Sequence, residues 1–547
     1  MQSYQIADLF EAVADAIPDQ VALVCGGERL TYRELDERAT RLADFFRSRG
    51  LGGGDHIGTY LYNGVEYVTT MIAAFKISAV PININYRYVE EELTYLLQNA
   101  DLKAVVHHRE FADRVAAVRG DCPLLALQLY VEDGTGADVS GAVEFGEALA
   151  SGAPERNFSG RSNEDLFIIY TGGTTGMPKG VMWHHEAAYF ACFGAGNPIG
   201  DDITDLEELV ERARTMAGVA TSLIAAPLIH GAAQLATFIS LIGGSKLIYQ
   251  KKFDAEEIPR LIADEKVLTI SLVGDGMARP IADALERNAQ SVSPADCSTV
   301  IVIASAGAIF SEPVKDKLKK YLPQCNMMDN YGSTETGFQG RGGAGHKSFG
   351  QGLTFQMSDR TVVLGDDLKP VEPGSGVLGR VALRGHVPVG YYGDPVKSAE
   401  TFVTLEGVRY SITGDIAEVE ADGTVKLYGR GSVCINSGGE KIFVEEVENA
   451  LKSHPAVYDA VVVGIDDVRW GQRVTALVSL TLEPGGEAPG EDALRDHCRT
   501  HVAGYKVPKE IHLVDEVFRG PNGKADYKLS ARLVAELSTA RGVSDSA

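Results

Sequence analysis

Tyr170-Thr171-Gly172-Gly173-Thr174-Thr175-Gly176-Met177-Pro178-Lys179-Gly180 follows an apolar run, Leu166 to Tyr170. Glycines without a Cβ let the backbone approach oxygen atoms closely, and successive N–H groups in such a turn form a nest for an anion. The hydroxyls of Thr171, Thr174 and Thr175 add donors, and Lys179 adds a positive charge. The chemistry this suits is the cradling of phosphate. It is not the Walker pattern, which places Ser or Thr directly after the lysine and opens a helix. Here Gly180 follows Lys179, and Pro178 disfavours a helical Met177. An ordinary Gly/Thr turn is the competing reading, but such a turn needs neither three hydroxyls nor a lysine.

The elements that must position this turn alternate in type. Ile6 to Ile17 and Tyr32 to Ser48 carry apolar residues at helical spacing, and Val21 to Cys25 with Arg29 to Thr31 reads as a hairpin around Gly26-Gly27. Asp55 to Leu61 reads as a strand and Tyr67 to Phe75 as a buried helix. Val105 to His107, Leu166 to Tyr170, Thr221 to Ala225, Lys246 to Tyr249, Thr269 to Val273 and Thr299 to Ala304 are short β-rich runs, many separated by helical stretches. Strands alternating with helices imply parallel sheets covered on both faces. After about Gly340 the pattern changes. Gly340 to Gly352 reads as a glycine-rich loop, and Arg360 to Leu364, Gly379 to Arg384 and Thr424 to Tyr428 read as antiparallel strands with turn signals between them. From near Gly431 a compact α+β unit follows: helix Val444 to Ser453, strands Ala456 to Ile465 and Arg473 to Leu480, helix Glu491 to Thr500, strand Glu510 to Val514. Glu483 to Gly490 is its loop, and the tail after Leu537 is expected to fray.

Further motifs recur in order along the chain: Ala226-Pro227-Leu228-Ile229-His230-Gly231, Ser305-Ala306-Gly307-Ala308, Asn330-Tyr331-Gly332-Ser333-Thr334-Glu335, Thr413-Gly414-Asp415, Gly429-Arg430, Gly438-Gly439-Glu440-Lys441 and Gly523-Lys524. Together with the Thr171–Gly180 turn they resemble the adenylate-forming superfamily of acyl-CoA synthetases, adenylation domains and luciferases over nearly the whole chain. The wording of Gly429 to Lys441 and of Gly504-Tyr505-Lys506-Val507-Pro508 is most similar to actinobacterial fatty-acid and steroid-side-chain CoA ligases.

The resemblance implies an α/β fold: a large N-terminal domain (1–429) of two parallel-type α/β sheets plus a small β-barrel-like subdomain, a hinge at 430–432, and a small mobile α+β C-terminal domain (433–547). It implies a reaction in two halves. A carboxylate attacks the α-phosphate of ATP, and the thiol of coenzyme A then attacks the mixed anhydride. ATP, Mg²⁺ and coenzyme A are the implied small molecules.

The nucleotide is assigned to Thr171, Gly172, Gly173, Thr174, Thr175, Gly176, Lys179, Ala306, Gly307, Ala308, Asn330, Tyr331, Gly332, Ser333, Asp415 and Arg430. Lys524, Thr334 and Glu335 are the catalytic residues, Glu335 also holding the metal. His230, Gly231 and Gly274 line the acid pocket, and Gly438, Gly439 and Lys441 meet coenzyme A. Most of these types have a plainer reading when taken alone. Glu335 also fits a helix start after Ser333 and Thr334, Tyr331 a core aromatic, Asp415 a turn aspartate, and Arg430 a surface ion pair. Likewise His230 fits a hydrogen-bonded core histidine, and Lys441 and Lys524 fit solvated charges. Trp183, His184 and His185 read as helix-start packing rather than a metal site, since adjacent residues cannot share a helix face. Two positions depart from the superfamily pattern: Gly431, Ser432 and Val433 follow Arg430 where Asp or Lys is usual nearby, and Val444 stands where proline is common.

Bulk properties bound the choice. With 51 Lys+Arg against 75 Asp+Glu the net charge is −24, so general nucleic-acid binding is excluded as an expectation. The amino terminus lacks a basic region ahead of an apolar core. No uncharged run of about 18 apolar residues is present. The seven cysteines form no C-x-x-C pair, and a reducing, cytoplasmic setting is expected. Oligomeric state is left open, a homodimer being one alternative. Three functions remain. The first is an acyl-CoA ligase for a medium or long fatty acid or a bulky steroid-side-chain acid, with an aryl acid as alternative; Gly231, Ala232, Ala233 and Gly274 suggest room for a large one. The second is an adenylating enzyme that loads a carrier protein, though few residues remain after Leu537 for a carrier domain. The third is a nucleotide-binding protein without catalysis.

Overall fold

Ile6–Ala16 is helical because Ile6, Leu9, Phe10 and Val13 fall on one buried face, with the Gln5 side chain accepting from the N–H groups of Ala7 and Asp8. Tyr32–Ser48 starts at a capping box in which Thr31 and Glu34 satisfy each other's backbone N–H. Val65–Lys76 is buried all round except at Glu66, as expected of a helix sandwiched between other layers. Its last residue, Lys76, is fully buried and donates to Glu11 and to Asp36, the latter at 2.7 Å. That ion pair ties the first three helices together. The computed structural model describes residues 3–171, 177–308, 310–342, 353–430, 434–437, 440–467, 471–481, 488–520 and 524–544.

Two parallel sheets form the large unit. The first runs in the order Val80–Asn83, His56–Tyr60, Leu102–His108, Leu127–Val131, Val143–Glu144, every pairing parallel. The second places Val21–Cys25, Lys246–Tyr249, Thr221–Ile224, Thr269–Leu272, Val302–Ala306 and Asn326–Ser333 side by side, again parallel. Between the sheets lies the largest apolar core, which includes Phe75, Phe167, Phe238 and Trp183. From Gly337–Gly342 onward the second sheet continues antiparallel through Leu353–Met357, Val425–Arg430, Val408–Val419, Gly379–Arg384 and Thr361–Leu364. These strands are the antiparallel subdomain expected beyond Gly340. The C-terminal unit packs the helices Val444–Lys452 and Glu491–Arg499 on a sheet containing Val457–Asp467, Gly471–Leu480 and Glu510–Leu513.

Three local expectations are corrected. Gly340 to Gly342 belong to a strand rather than a loop, because the hairpin from Asn326–Ser333 brings this glycine-rich stretch against Phe355, where a Cβ on Gly340 would collide; residues 343–352 lie outside the described residues. The stretch after Leu537 does not fray at once: Tyr527–Ser544 is one helix, anchored by the fully buried Val534 against Val461. No helix starts after Ser333 and Thr334; a turn leads directly into the returning strand. The Glu483 to Gly490 loop falls mostly outside the described residues. Among the described residues no helix is long and apolar enough to cross a membrane.

Candidate active site

In a parallel sheet, every strand delivers the residues that follow it to the same edge, and ligands collect there. Three of the motifs, and Gly274, sit at that edge on adjacent strands. Thr221–Ile224 leads to Ala226–Gly231, Thr269–Leu272 to Gly274, Val302–Ala306 to Gly307 and Ala308, and Asn326–Ser333 to Thr334 and Glu335. Ala306 stands beside Asn330 in the register. The Gly274 N–H donates to the buried Ser305 hydroxyl at 2.9 Å, which fixes the spacing of two of these ends. Gly231 faces Thr334: a Cβ there would lie 3.3 Å from Thr334 Oγ1 and 3.3 Å from Ile169. Ala233, in contrast, is buried in the main core.

The strands flanking the glycine-threonine turn form a hairpin. Leu166–Thr171 pairs antiparallel with Lys179–His184, Thr171 opposite Lys179, so the chain returns as a strand and not as a helix, as Pro178 and Gly180 require. Residues 172–176, which include Gly172, Gly173, Thr174, Thr175 and Gly176, lie outside the described residues. Lys179 donates to Asp394 at 2.8 Å and its ammonium stands 5.3 Å from the Tyr391 ring centroid. The Lys179 hydrogen bond holds the Asp394 carboxyl below its ordinary value. The Tyr391 hydroxyl donates to Glu335 Oε1 at 3.1 Å. Lys179, Tyr391 and Glu335 therefore form one line from the hairpin to the sheet edge.

The antiparallel strands add a second flank. Asp415, buried, accepts from the Tyr331 hydroxyl at 2.8 Å and from Thr413 Oγ1 at 3.1 Å. Tyr331 stacks on Phe355 with centroids 4.5 Å apart. Arg430 pairs with Asp415 in the strand register. Ser411 Oγ donates to the Glu335 carbonyl at 2.7 Å. Gly332 is glycine because the hairpin brings the Gly337 carbonyl to where a Cβ would be.

From the C-terminal unit, Lys524 reaches the same edge. Its Cε lies 4.0 Å from the position a Cβ on Gly307 would take. Gly307 has φ +80°, so a side chain there is disfavoured on backbone grounds as well. The Lys524 carbonyl closes a turn by accepting from the Gly520 N–H at 2.7 Å. Gly438 and Gly439 lie outside the described residues, and the backbone of Lys441 sits on the strand Glu440–Ile442. Of the departures, Gly431, Ser432 and Val433 are outside the described residues. Val444 is the first residue of its helix, the position where proline preorganises a helix without removing a hydrogen bond.

Several residues that assemble the site carry no motif. Asn83 Nδ2 donates to the carbonyls of Tyr170 at 2.8 Å and Ile229 at 2.7 Å, and its Oδ1 accepts from the Tyr170 N–H. Asn63 likewise takes the Leu228 N–H at 2.7 Å and donates to the Ala226 carbonyl. Asn83 clamps the 226–231 segment to the hairpin strand, and Asn63 ties the same segment to the stretch that follows the strand His56–Tyr60. Their sequence signal is a polar residue inside an apolar run, as in Ile82-Asn83-Ile84. Trp183 lies on the strand Lys179–His184, not at a helix start, and its indole donates to the Thr334 carbonyl at 2.9 Å. His185 is the first residue of a helix and accepts from the Ile6 N–H, burial pushing its pKa down to about 3. His230 stands at the N-cap position of the helix Gly231–Ile242, its side chain making no capping bond to that helix.

Known proteins decide the family. The model described as AMP-binding enzyme matches residues 10–392, and the AMP-binding enzyme C-terminal domain matches residues 446–524. The chain is an AMP-binding enzyme. This AMP-binding enzyme is 48% identical over 528 residues to a 3-oxocholest-4-en-26-oate–CoA ligase of Rhodococcus rhodochrous, covering 96% of the chain and 94% of the relative. It is 47% identical to a medium/long-chain-fatty-acid–CoA/3-oxocholest-4-en-26-oate–CoA ligase of Mycobacterium marinum, covering 96% and 95%. Its fold matches the crystal structure of an anthranilate–CoA ligase in complex with anthranoyl-AMP, with a TM-score of 0.83, 22% identity and 99% of each chain covered. The large N-terminal and small C-terminal units of the AMP-binding enzyme are therefore those of an adenylate-forming fold.

Proposed function

We propose that this AMP-binding enzyme joins a carboxylic acid to coenzyme A at the expense of ATP, and that the acid is a medium- or long-chain fatty acid or a bulky steroid-side-chain acid. The observation that carries the reading is the convergence of Gly231, Gly307, Thr334 and Glu335 on one sheet edge, with Lys524 reaching it from the other unit. The substrate class rests on the relatives, whose names include both kinds of acid. We place the division of the chain at 1–429, a hinge at 430–432 and 433–547, with the smaller domain mobile; the family matches end at 392 and resume at 446.

In the first half-reaction an oxygen of the acid carboxylate bonds to the α-phosphorus of ATP and the bond to pyrophosphate breaks. In the second the coenzyme A sulfur, losing its proton, bonds to the acyl carbon and AMP leaves. The carboxylate attacks as the ion it already is at neutral pH, so the protein supplies positioning and charge. Lys524 brings an ammonium to the α-phosphate and carboxylate oxygens in the first step. The Thr334 hydroxyl, beside Gly231, donates to the same phosphate. Lys179 and the Thr171–Gly176 turn hold the outer phosphates. Asp415 and Arg430 hold the ribose, Tyr331 faces the adenine with Ala306, Gly307 and Ala308 beside it, and His230, Gly231 and Gly274 border the acid. Gly438, Gly439 and Lys441 meet coenzyme A. Glu335 fits a Mg²⁺ ion that keeps water and phosphate oxygens as its other ligands, since one carboxylate suffices for that cation; such an ion would neutralise the phosphate charge. Among the described residues no cluster of three potential ligands offers a fuller cage.

The test is thioester formation with ATP, Mg²⁺ and coenzyme A over a panel of octanoate, palmitate, a steroid-side-chain acid, benzoate and cinnamate. Thioester with the first three and little with the aryl acids is expected. Preference for benzoate or cinnamate would move the assignment to an aryl-acid ligase, and adenylate formation without coenzyme A-dependent AMP release would move it to carrier loading. No product with any acid would overturn it.

A further inference from the structure

The geometry points to a latch between the two units. Arg279 lies on the helix Gly274–Gln290, which starts at the active edge of the main sheet, and Tyr458 lies on the strand Val457–Asp467 of the C-terminal unit. The guanidinium carbon of Arg279 stands 4.9 Å from the Tyr458 ring centroid. Arg279 Nη2 is buried without a hydrogen-bond partner, so the ring face is what the cation receives in place of water. Tyr458 remains 39% exposed, so its ring serves a contact rather than a core.

The next residue connects this contact to the reacting centre. Asp459 takes a forked pair of hydrogen bonds from Arg519, Nε at 2.6 Å and Nη2 at 2.7 Å. Arg519 in turn bridges Ala525 across the turn that ends in Lys524, and the Gly520 N–H closes that turn on the Lys524 carbonyl. The strand gripped by Arg279 therefore also roots the turn bearing Lys524. Other contacts between the units, Tyr428 against Phe443 and Glu445 against Gly429, lie close in sequence to the proposed hinge and so give little angular leverage. A cation–ring contact between the units holds an orientation while remaining weak enough to release.

We propose that Arg279 and Tyr458 are positioning residues. Their contact holds the C-terminal unit in the orientation that brings Lys524 to Gly307 for the adenylate-forming step, and it is not required for thioester formation. This rests on the acid-activating reading above, in which Lys524 serves the first step.

The test separates the two half-reactions of the full-length enzyme. Arg279→Ala and Tyr458→Ala are each expected to slow acid-dependent ATP–pyrophosphate exchange by about five- to tenfold, in kcat more than in KM for ATP. Conversion of a supplied acyl-adenylate to acyl-CoA should change by less than about twofold, since the latch is absent from that step. Tyr458→Phe, which keeps the ring face, should retain exchange, and the double alanine variant should be no slower than the worse single one. Equal losses in both half-reactions, or no loss in exchange, would overturn the latch. A second measurement does not depend on activity. Spin labels on Val292→Cys and Leu513→Cys, in a background with Cys25→Ser and Cys434→Ser, report the distance between the units. Tyr458→Ala should broaden that distribution, and an unchanged one would overturn the latch. Absence of exchange by the unaltered enzyme with every acid would instead count against the acid-activating reading, while the distances still decide the latch.

Discussion

Lys524 and Gly307 are separated by most of the second half of the chain, yet the Lys524 Cε lies 4.0 Å from where a β-carbon on Gly307 would stand. Gly307 directly follows the strand Val302–Ala306 of the main sheet, and the Lys524 carbonyl accepts from the Gly520 N–H in the C-terminal unit. Lys524→Ala should therefore lower the rate of pyrophosphate exchange by roughly a hundredfold or more, the scale of losing one preorganised charge at a transition state. The melting temperature should change little. A variant that exchanges pyrophosphate at the original rate would remove Lys524 from the first step.

Gly231 separates activity from stability. It opens the helix Gly231–Ile242, and a methyl there would press on Thr334 Oγ1 and Ile169 at 3.3 Å. Gly231→Ala should raise helix propensity, so the melting temperature should hold or rise slightly. The catalytic efficiency towards the acid should fall roughly three- to tenfold, because Thr334 is displaced by a few tenths of an ångström. Parallel thermal melts and steady-state kinetics read both effects. A fall in melting temperature with unchanged efficiency would contradict the placement.

Tyr391 orients Glu335 through its hydroxyl and lies under Lys179 with its ring. Tyr391→Phe removes the first contact and keeps the second. The Mg²⁺ concentration giving half-maximal activity should rise roughly tenfold, in line with losing a hydrogen bond to a metal-binding carboxylate, while KM for the acid stays put. An unchanged Mg²⁺ titration would mean that Glu335 does not meet the ion.

Asp459 supplies a pH prediction. Burial alone would raise its pKa, but the Arg519 fork and the Lys452 charge outweigh burial and leave it below the ordinary carboxylate value. A carboxyl depressed in the folded state contributes stability that is complete above the unfolded value of about 4, and that contribution is lost as the pH falls through the folded value. Asp459→Asn should therefore cost about 3 kcal/mol at pH 7, the scale of breaking one partner from a buried pair, and its deficit should shrink below about pH 4. Urea unfolding of the two proteins at a series of pH values measures this; a deficit that stays constant to pH 3 would contradict it.

The strands and helices of the parallel sheets were legible because their apolar periodicity is local. Thr221–Ile224, Lys246–Tyr249 and Thr269–Leu272 lie where their β-rich runs stand in the sequence. The Asn326–Ser333 strand was hidden, because its second half, Asn330 to Ser333, is polar and glycine-bearing and is held by pairing on both sides rather than by propensity. The helix to Ser544 was hidden for the same kind of reason, its anchor Val534 meeting a partner, Val461, far away in sequence.

By itself the sequence determined the chemistry of the parts: a glycine-threonine turn suited to phosphate and unable to open a helix, the ordered motifs, and an acidic composition that argues against general nucleic-acid binding. Glycine, proline and charge act through their own backbone and neighbours, so their meaning survives without a fold. Only the tertiary structure decided which parts meet. Asn83 joins Tyr170 to Ile229, Tyr391 joins Lys179 to Glu335, and Arg279 faces Tyr458 across the two units. Those relations depend on strand order and on how one unit rests against the other, and hydrogen bonds and ring contacts over such sequence separations leave no periodic trace in the chain that makes them.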